Sequence, residues 1–182
     1  MNRFAAGIVS VALLSLTGCD KSASTSPTPT GQGTAPAAER SDIFVPKAAQ
    51  PKLPTIKLWV GPEELESEVA MTPIQQATGM MFRTNMPENT AMLFIRPAPE
   101  QASFWMTNCP LPLAAAYIDP EGVILETHEL KANDPTPVQS SAYNVQFVLE
   151  VNSGWFQRHH ITTGTLISTE HGSLPQIFLR RR

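Results

Sequence analysis

A chain of 182 residues with 42% hydrophobic residues has room for one sound core and little left over for a second domain. Its net charge of −3 and pI near 5.8 exclude the basic surface that a nucleic-acid binder carries. Its four histidines, His128, His159, His160 and His171, lack the spacing of a zinc ligand set, so no metal or other cofactor is expected.

The N-terminus reads as an address. Asn2-Arg3 is a short positive start, and Phe4 to Leu16 is an apolar run too short to span a bilayer comfortably. It ends in Leu16-Thr17-Gly18-Cys19, which resembles the lipobox of bacterial lipoproteins. The resemblance implies a signal peptide over residues 1–18, cleavage before Cys19, and acylation of Cys19 as the attachment to a membrane. Each buried methylene contributes roughly 0.8 kcal/mol, so several acyl chains anchor stably where one does not. Asp20 resembles the inner-membrane retention signal of enteric lipoproteins. The expected location is therefore the bacterial cell envelope, facing the periplasm, with the inner membrane favoured.

Residues 19–54 are rich in Ser, Thr, Pro, Ala and Gln, a composition that buries too little apolar surface to offset ordering entropy. They are expected to form a disordered linker, partly extended by its prolines, that holds the domain roughly 30 Å or more from the membrane. Ile43-Phe44-Val45 is the apolar exception; docking on the domain, binding a partner and having no role all stay open.

The folded unit is expected over residues 55–172. Ile56, Leu58 and Val60 alternate with Lys57 and Trp59 before Gly61-Pro62 turns the chain, and residues 65–69 form a second strand. Thr72-Pro73 is an N-cap with proline at the first helical position, and Ile74, Ala77, Met80 and Met81 carry a short helix to about Met81. Strands are expected at 91–95, 103–107 and 113–118. Asp119-Pro120-Glu121-Gly122 suits a type I turn into a return strand at 123–130. A loop over 131–142, a strand at 144–151, a short helix at 155–159 and a last strand within 161–169 complete the unit, and residues 173–182 read as a loose basic tail. This pattern predicts a mainly β fold, either a compact jelly-roll-like sandwich or a partly open barrel, with one or two short helices.

These segments, in this order, resemble the domain-of-unknown-function 192 family, also called the uncharacterised protein family 0127. The resemblance rests on Thr72-Pro73, Gly79-Met80-Met81-Phe82-Arg83, Met92-Leu93-Phe94, Phe104-Trp105-Met106-Thr107-Asn108, Pro112-Leu113, Tyr117-Ile118-Asp119, Val148-Leu149-Glu150-Val151 with Gly154, and Ile161 with Gly164. It covers about Thr55 to Thr169. It implies a compact, mostly β fold and no established activity. Cys109, Ala114 and Thr165 stand where the family usually has Thr, Asp and Asp.

The residues that stand out are Arg83, Trp105, Asn108 and Glu150, the candidate ligand-binding set. Arg83 is a charge inside an apolar motif, suited to an anionic ligand or to an ion pair with Glu150. Glu150 lies between Leu149 and Val151, so alternation turns it to their opposite face. Phe104 and Met106 share one face of an extended chain and Trp105 takes the other. Either that strand is covered on both sides or one face lines a pocket; burial of Trp105 is the expectation, with a cost of about 3–5 kcal/mol on truncation to Ala. Cys109 is left without a partner once Cys19 is acylated, and a small buried apolar thiol is its usual state. Six methionines between Met71 and Met106 serve either as core filler or as soft ligands for copper. Ser140-Ser141 with His128 lacks the glycine elbow of a hydrolase. No catalytic set emerges. The expectation is a membrane-anchored envelope lipoprotein whose β domain binds a protein partner or small molecule. The alternatives are an enzyme acting on envelope material and copper handling.

Overall fold

The computed structural model of the protein describes residues 46–179. The signal segment, Cys19, Ile43-Phe44-Val45 and the three terminal arginines lie outside the described residues.

Strands β1 (Thr55–Val60) and β2 (Glu63–Ala70) form a hairpin across Gly61, whose φ of 59° is one that glycine adopts freely. Helix α1 (Pro73–Thr78) follows. Gln75 N–H donates to Thr72 Oγ1 (3.2 Å) and Thr72 N–H donates to Gln75 Oε1 (2.9 Å), a capping box that fixes the helix start. The helix ends a turn earlier than the sequence predicts, because Gly79 turns the backbone to φ 46°. Next come β3 (Thr90–Glu100), β4 (Ser103–Phe104), β5 (Leu113–Ile118) and β6 (Ile124–Leu130). Asp119 Oδ1 accepts from the N–H of Glu121 and Val123 (3.0 and 2.8 Å), which sets the β5–β6 turn. The chain ends with β7 (Val138–Gln139), β8 (Val145–Asn152), α2 (Trp155–Arg158), β9 (Ile167–Thr169), β10 (Gly172–Ser173) and α3 (Leu174–Phe178).

Eight strands make one mixed sheet in the order β10-β9-β1-β2-β3-β8-β5-β6, and β4 pairs with β7 apart from it. β2 and β3 run parallel, which the crossover through α1 makes possible; the other pairs are antiparallel. The fold is mainly β, as expected, and the large sheet is not closed into a barrel. Its two sides nonetheless touch. Ile124 N–H donates to Thr165 O (2.9 Å) and Ile167 N–H to Gly122 O (2.8 Å), around a single bridge between Val123 and Leu166.

Both faces of the sheet are covered. On β3, Ala91, Leu93 and Ile95 join a first core with Phe147, Leu149, Trp155 and Phe156, while Met92 and Phe94 join a second with Met80, Met106, Tyr117 and Val148. This explains why Ala91 to Ile95 in β3 and Leu113 to Ile118 in β5 are apolar at every position rather than at alternate ones. The Tyr117 hydroxyl donates to Val138 O (2.6 Å) and so ties the 131–142 loop to the second core.

Other boundaries also differ from expectation. The linker's last residues pack on the domain: Leu53 is buried, its N–H donates to Glu68 Oε2 (2.7 Å), and Gln50 Nε2 donates to Gln75 O and Gly79 O. The expected 103–107 strand stops at Phe104, since Met106 N–H is taken by Asp134 O (2.8 Å). The tail is not loose through Phe178. Ser173 and Gln176 form a capping box, Pro175 occupies the first turn, and Leu174 is fully buried against the first core.

Candidate functional site

A cleft of about 180 Å³ opens between the end of α1 and the segment that follows β4. Thr78 to Met81 form one wall and Ser103 to Thr107 the other, while Phe94, Cys109 and Glu150 also line it. Phe94 and Phe104 meet edge to face at 5.0 Å between ring centroids, so aromatic surface runs from the sheet up one wall. Trp105 continues that wall with its side exposed: it is 51% accessible, so the expected burial does not hold. Phe104 and Met106 pack inward against the second core, leaving the intervening residue outside.

Glu150 is the unusual group. It is 4% exposed, and Oε2 is buried with no hydrogen-bond partner among the described residues. Alternation does turn it away from Leu149 and Val151, but that face meets the second core rather than water. Burial alone pushes its carboxyl up to about 8. Cys109, beside it in the cleft, is buried too. Burial, with a smaller push from Glu150, outweighs the contact to Leu111 O (3.6 Å) and raises its thiol to about 11, so it is a neutral thiol at pH 7. Arg96 reaches the cleft from β3 with its guanidinium paired to Glu100 and its Nε buried and unpartnered among the described residues.

The other two sequence candidates lie elsewhere. Arg83 does not pair with Glu150. It makes a two-pronged contact with Glu68, Nη1 to Oε1 and Nη2 to Oε2 (2.8 Å), in a neighbouring cavity of about 200 Å³. Burial pushes the Glu68 carboxyl up, but Arg83 and the Leu53 N–H outweigh it and leave the group below the usual range. With both side chains under 20% exposed, this is a structural pair that clamps residue 53 and the 79–89 segment onto β2. Arg83→Ala strands Glu68 and is expected to cost about 2–4 kcal/mol in urea unfolding, near the range for breaking a buried pair. Asn108 is exposed and takes φ 60°, a left-handed conformation that asparagine tolerates. Its carbonyl accepts from Phe82 N–H (2.7 Å), and Phe82 is itself at φ 62°. The two cleft walls are thus tied through their backbones, and Asn108 positions the wall rather than lining it.

The structure therefore brings Trp105 and Glu150 together and leaves Arg83 and Asn108 outside. It adds Phe94, Arg96, Phe104 and Cys109. One signal was available for Arg96: it shares parity with Met92 and Phe94, one of only two charged residues in β3.

The sequence profile of DUF192, described as an uncharacterized ACR, matches residues 57–169. The chain belongs to the DUF192 family. The matched span holds every residue lining the cleft. Two solved structures share the fold. One, from Novosphingobium aromaticivorans DSM 12444 and of unknown function, is 30% identical with a TM-score of 0.62 over 66% of this chain and 91% of that one. The other, from Sinorhizobium meliloti 1021 and described as a “putative transcription regulator”, is 27% identical with a TM-score of 0.59 over 63% of this chain and 92% of that one. No curated protein matches the chain.

Proposed function

We propose that this DUF192 chain is a lipid-anchored protein of the bacterial envelope, facing the periplasm, whose β domain binds a small, largely apolar molecule in the cleft beneath Trp105. The observation that carries this is a buried carboxyl with an unpartnered oxygen in an open cleft walled by aromatic and methionine side chains. Natural ligand sites combine such apolar walls with a few orienting polar groups. An exposed tryptophan beside a cavity supplies contact surface at little cost to the fold. Binding is favoured over turnover because the thiol in the cleft, Cys109, is neutral at pH 7 and its hydrogen bond among the described residues is to the Leu111 carbonyl rather than to a base.

The test is saturable fluorescence enhancement of N-phenyl-1-naphthylamine by the purified full chain. Trp105→Ala and Phe104→Ala are expected to weaken it at least tenfold; unchanged binding in both would overturn the cleft as the site.

The anchor is tested separately. Cys19→Ser is expected to release the chain from the membrane fraction or leave it unprocessed, with the domain still folded, because Cys19 precedes every residue of the two cores in sequence. Unchanged partitioning and processing would rule out lipidation.

A further inference from the structure

We propose that the cleft selects a primary or secondary ammonium group carried on an apolar body, with the ammonium on Glu150 and the body between Phe104 and Trp105. This rests on the ligand-binding reading above and adds the chemical class of the ligand. The argument begins with the orphan oxygen. Once ionised, Glu150 accepts only, so a ligand that completes its carboxylate must bring N–H or O–H donors, which a quaternary ammonium lacks.

The positive charge must come from the ligand as well. Among the groups facing Glu150, Cys109 from the turn after β4 is a neutral thiol and Tyr117 from β5 a phenol whose ionisation burial opposes. The end of α1 contributes only the uncharged Gln76 and Thr78, and Arg96 from β3 is engaged by Glu100. Arg96 is also displaced along the sheet, with Phe94 between it and Met92, the residue directly opposite Glu150. The walls suit an apolar body: Phe94, Phe104 and Trp105 line the cleft with aromatic surface. A carboxylate ligand gains no opposite charge from Glu150, whether that group is protonated or ionised.

An ammonium favours the ionised carboxylate, whereas the empty cleft keeps Glu150 mostly protonated at pH 7. Binding therefore converts R–NH3⁺ and Glu150–COOH into the R–NH3⁺···⁻OOC–Glu150 pair plus one released proton. Affinity should rise close to tenfold from pH 6 to pH 7, rise further toward pH 8, and then level off.

The test is isothermal titration calorimetry of the detergent-solubilised full chain with 2-phenylethylamine, 2-phenylethanol and 3-phenylpropanoate, in phosphate and in HEPES. The amine is expected to bind at least tenfold more tightly than the alcohol, the acid not measurably, and the buffer dependence to report nearly one proton released per amine at pH 7. Glu150→Gln is expected to abolish both the amine preference and the proton release. If the alcohol matches the amine, if the amine binds without releasing a proton, or if Glu150→Gln keeps the preference, the ammonium assignment fails and the ligand cleft stands. If none of the three binds, both fail. The proton count is read on the unmodified chain, so the test holds even should Glu150→Gln fold poorly.

Discussion

Between about pH 5 and pH 8 the domain should lose stability as pH rises, and Glu150→Gln should flatten that loss. Burial raises the folded-state carboxyl from an ordinary 4.5 to about 8, so the folded chain holds a proton that the unfolded chain releases. The stabilisation is complete below the unfolded value and is lost progressively until pH passes the folded one. At about 1.4 kcal/mol per unit the full displacement is on the order of 3–5 kcal/mol. Glu68 and Glu126 act with opposite sign, their carboxyls lying below the usual range, but their contribution is lost only as pH falls through the acid range. The wild-type profile should therefore peak near pH 5. Urea unfolding at pH 5, 6.5 and 8 measures it, with Glu150→Gln the more stable protein at pH 8. A flat wild-type profile would mean that Glu150 ionises as freely in the fold as in water.

Two tryptophans should respond in opposite ways to the same truncation. Trp155 is 1% exposed in the first core, edge-on to Phe156 and stacked on His159 at 4.5 Å. Trp155→Ala removes the largest fully buried side chain and should cost about 3–5 kcal/mol. That is much of the ~5–15 kcal/mol available to a domain of this size. Trp105→Ala removes a half-exposed wall and should cost under about 1 kcal/mol, as surface changes do, while cleft binding is lost. Denaturant midpoints of the two variants decide it. A Trp105→Ala domain that unfolds as readily as Trp155→Ala would return that ring to the core.

How far the sequence carried depended on how far apart the deciding contacts lie. Ala91 to Ile95 and Leu113 to Ile118 were legible as strands because a run apolar at every position needs cover on both sides. What provides that cover was not legible. The outer face is roofed by Leu53, Met80, Met86 and Met106, contributed by segments distant in sequence from β8. A reader of Val148 to Val151 alone would therefore send Glu150 to water. The alternation around Trp105 was correct as geometry; it does not say which side is left open. Asn108 and Arg83 drew attention by residue type, and both proved to be backbone and ion-pair supports of the cleft walls. The last helix carried a readable signal in Ser173, Pro175 and Gln176, overshadowed by the arginines beyond it.

The position of β1 bears on the order in which this sheet can be assembled. β1 lies between β2, its immediate successor, and β9, so that Leu58 pairs with Leu65 on one side and Thr169 on the other. The first ladder closes a two-residue turn; the second joins opposite ends of the domain. Sheets built from such non-local pairings fold in milliseconds to seconds rather than microseconds. Until Ile167 to Thr169 arrive, β1 is an open edge on which Ile56, Leu58 and Val60 line one face, the kind of edge on which chains pair with one another. A nascent or clipped chain that stops short of β9 thus leaves this edge open to pairing with other copies. The hazard ends when the last strands dock.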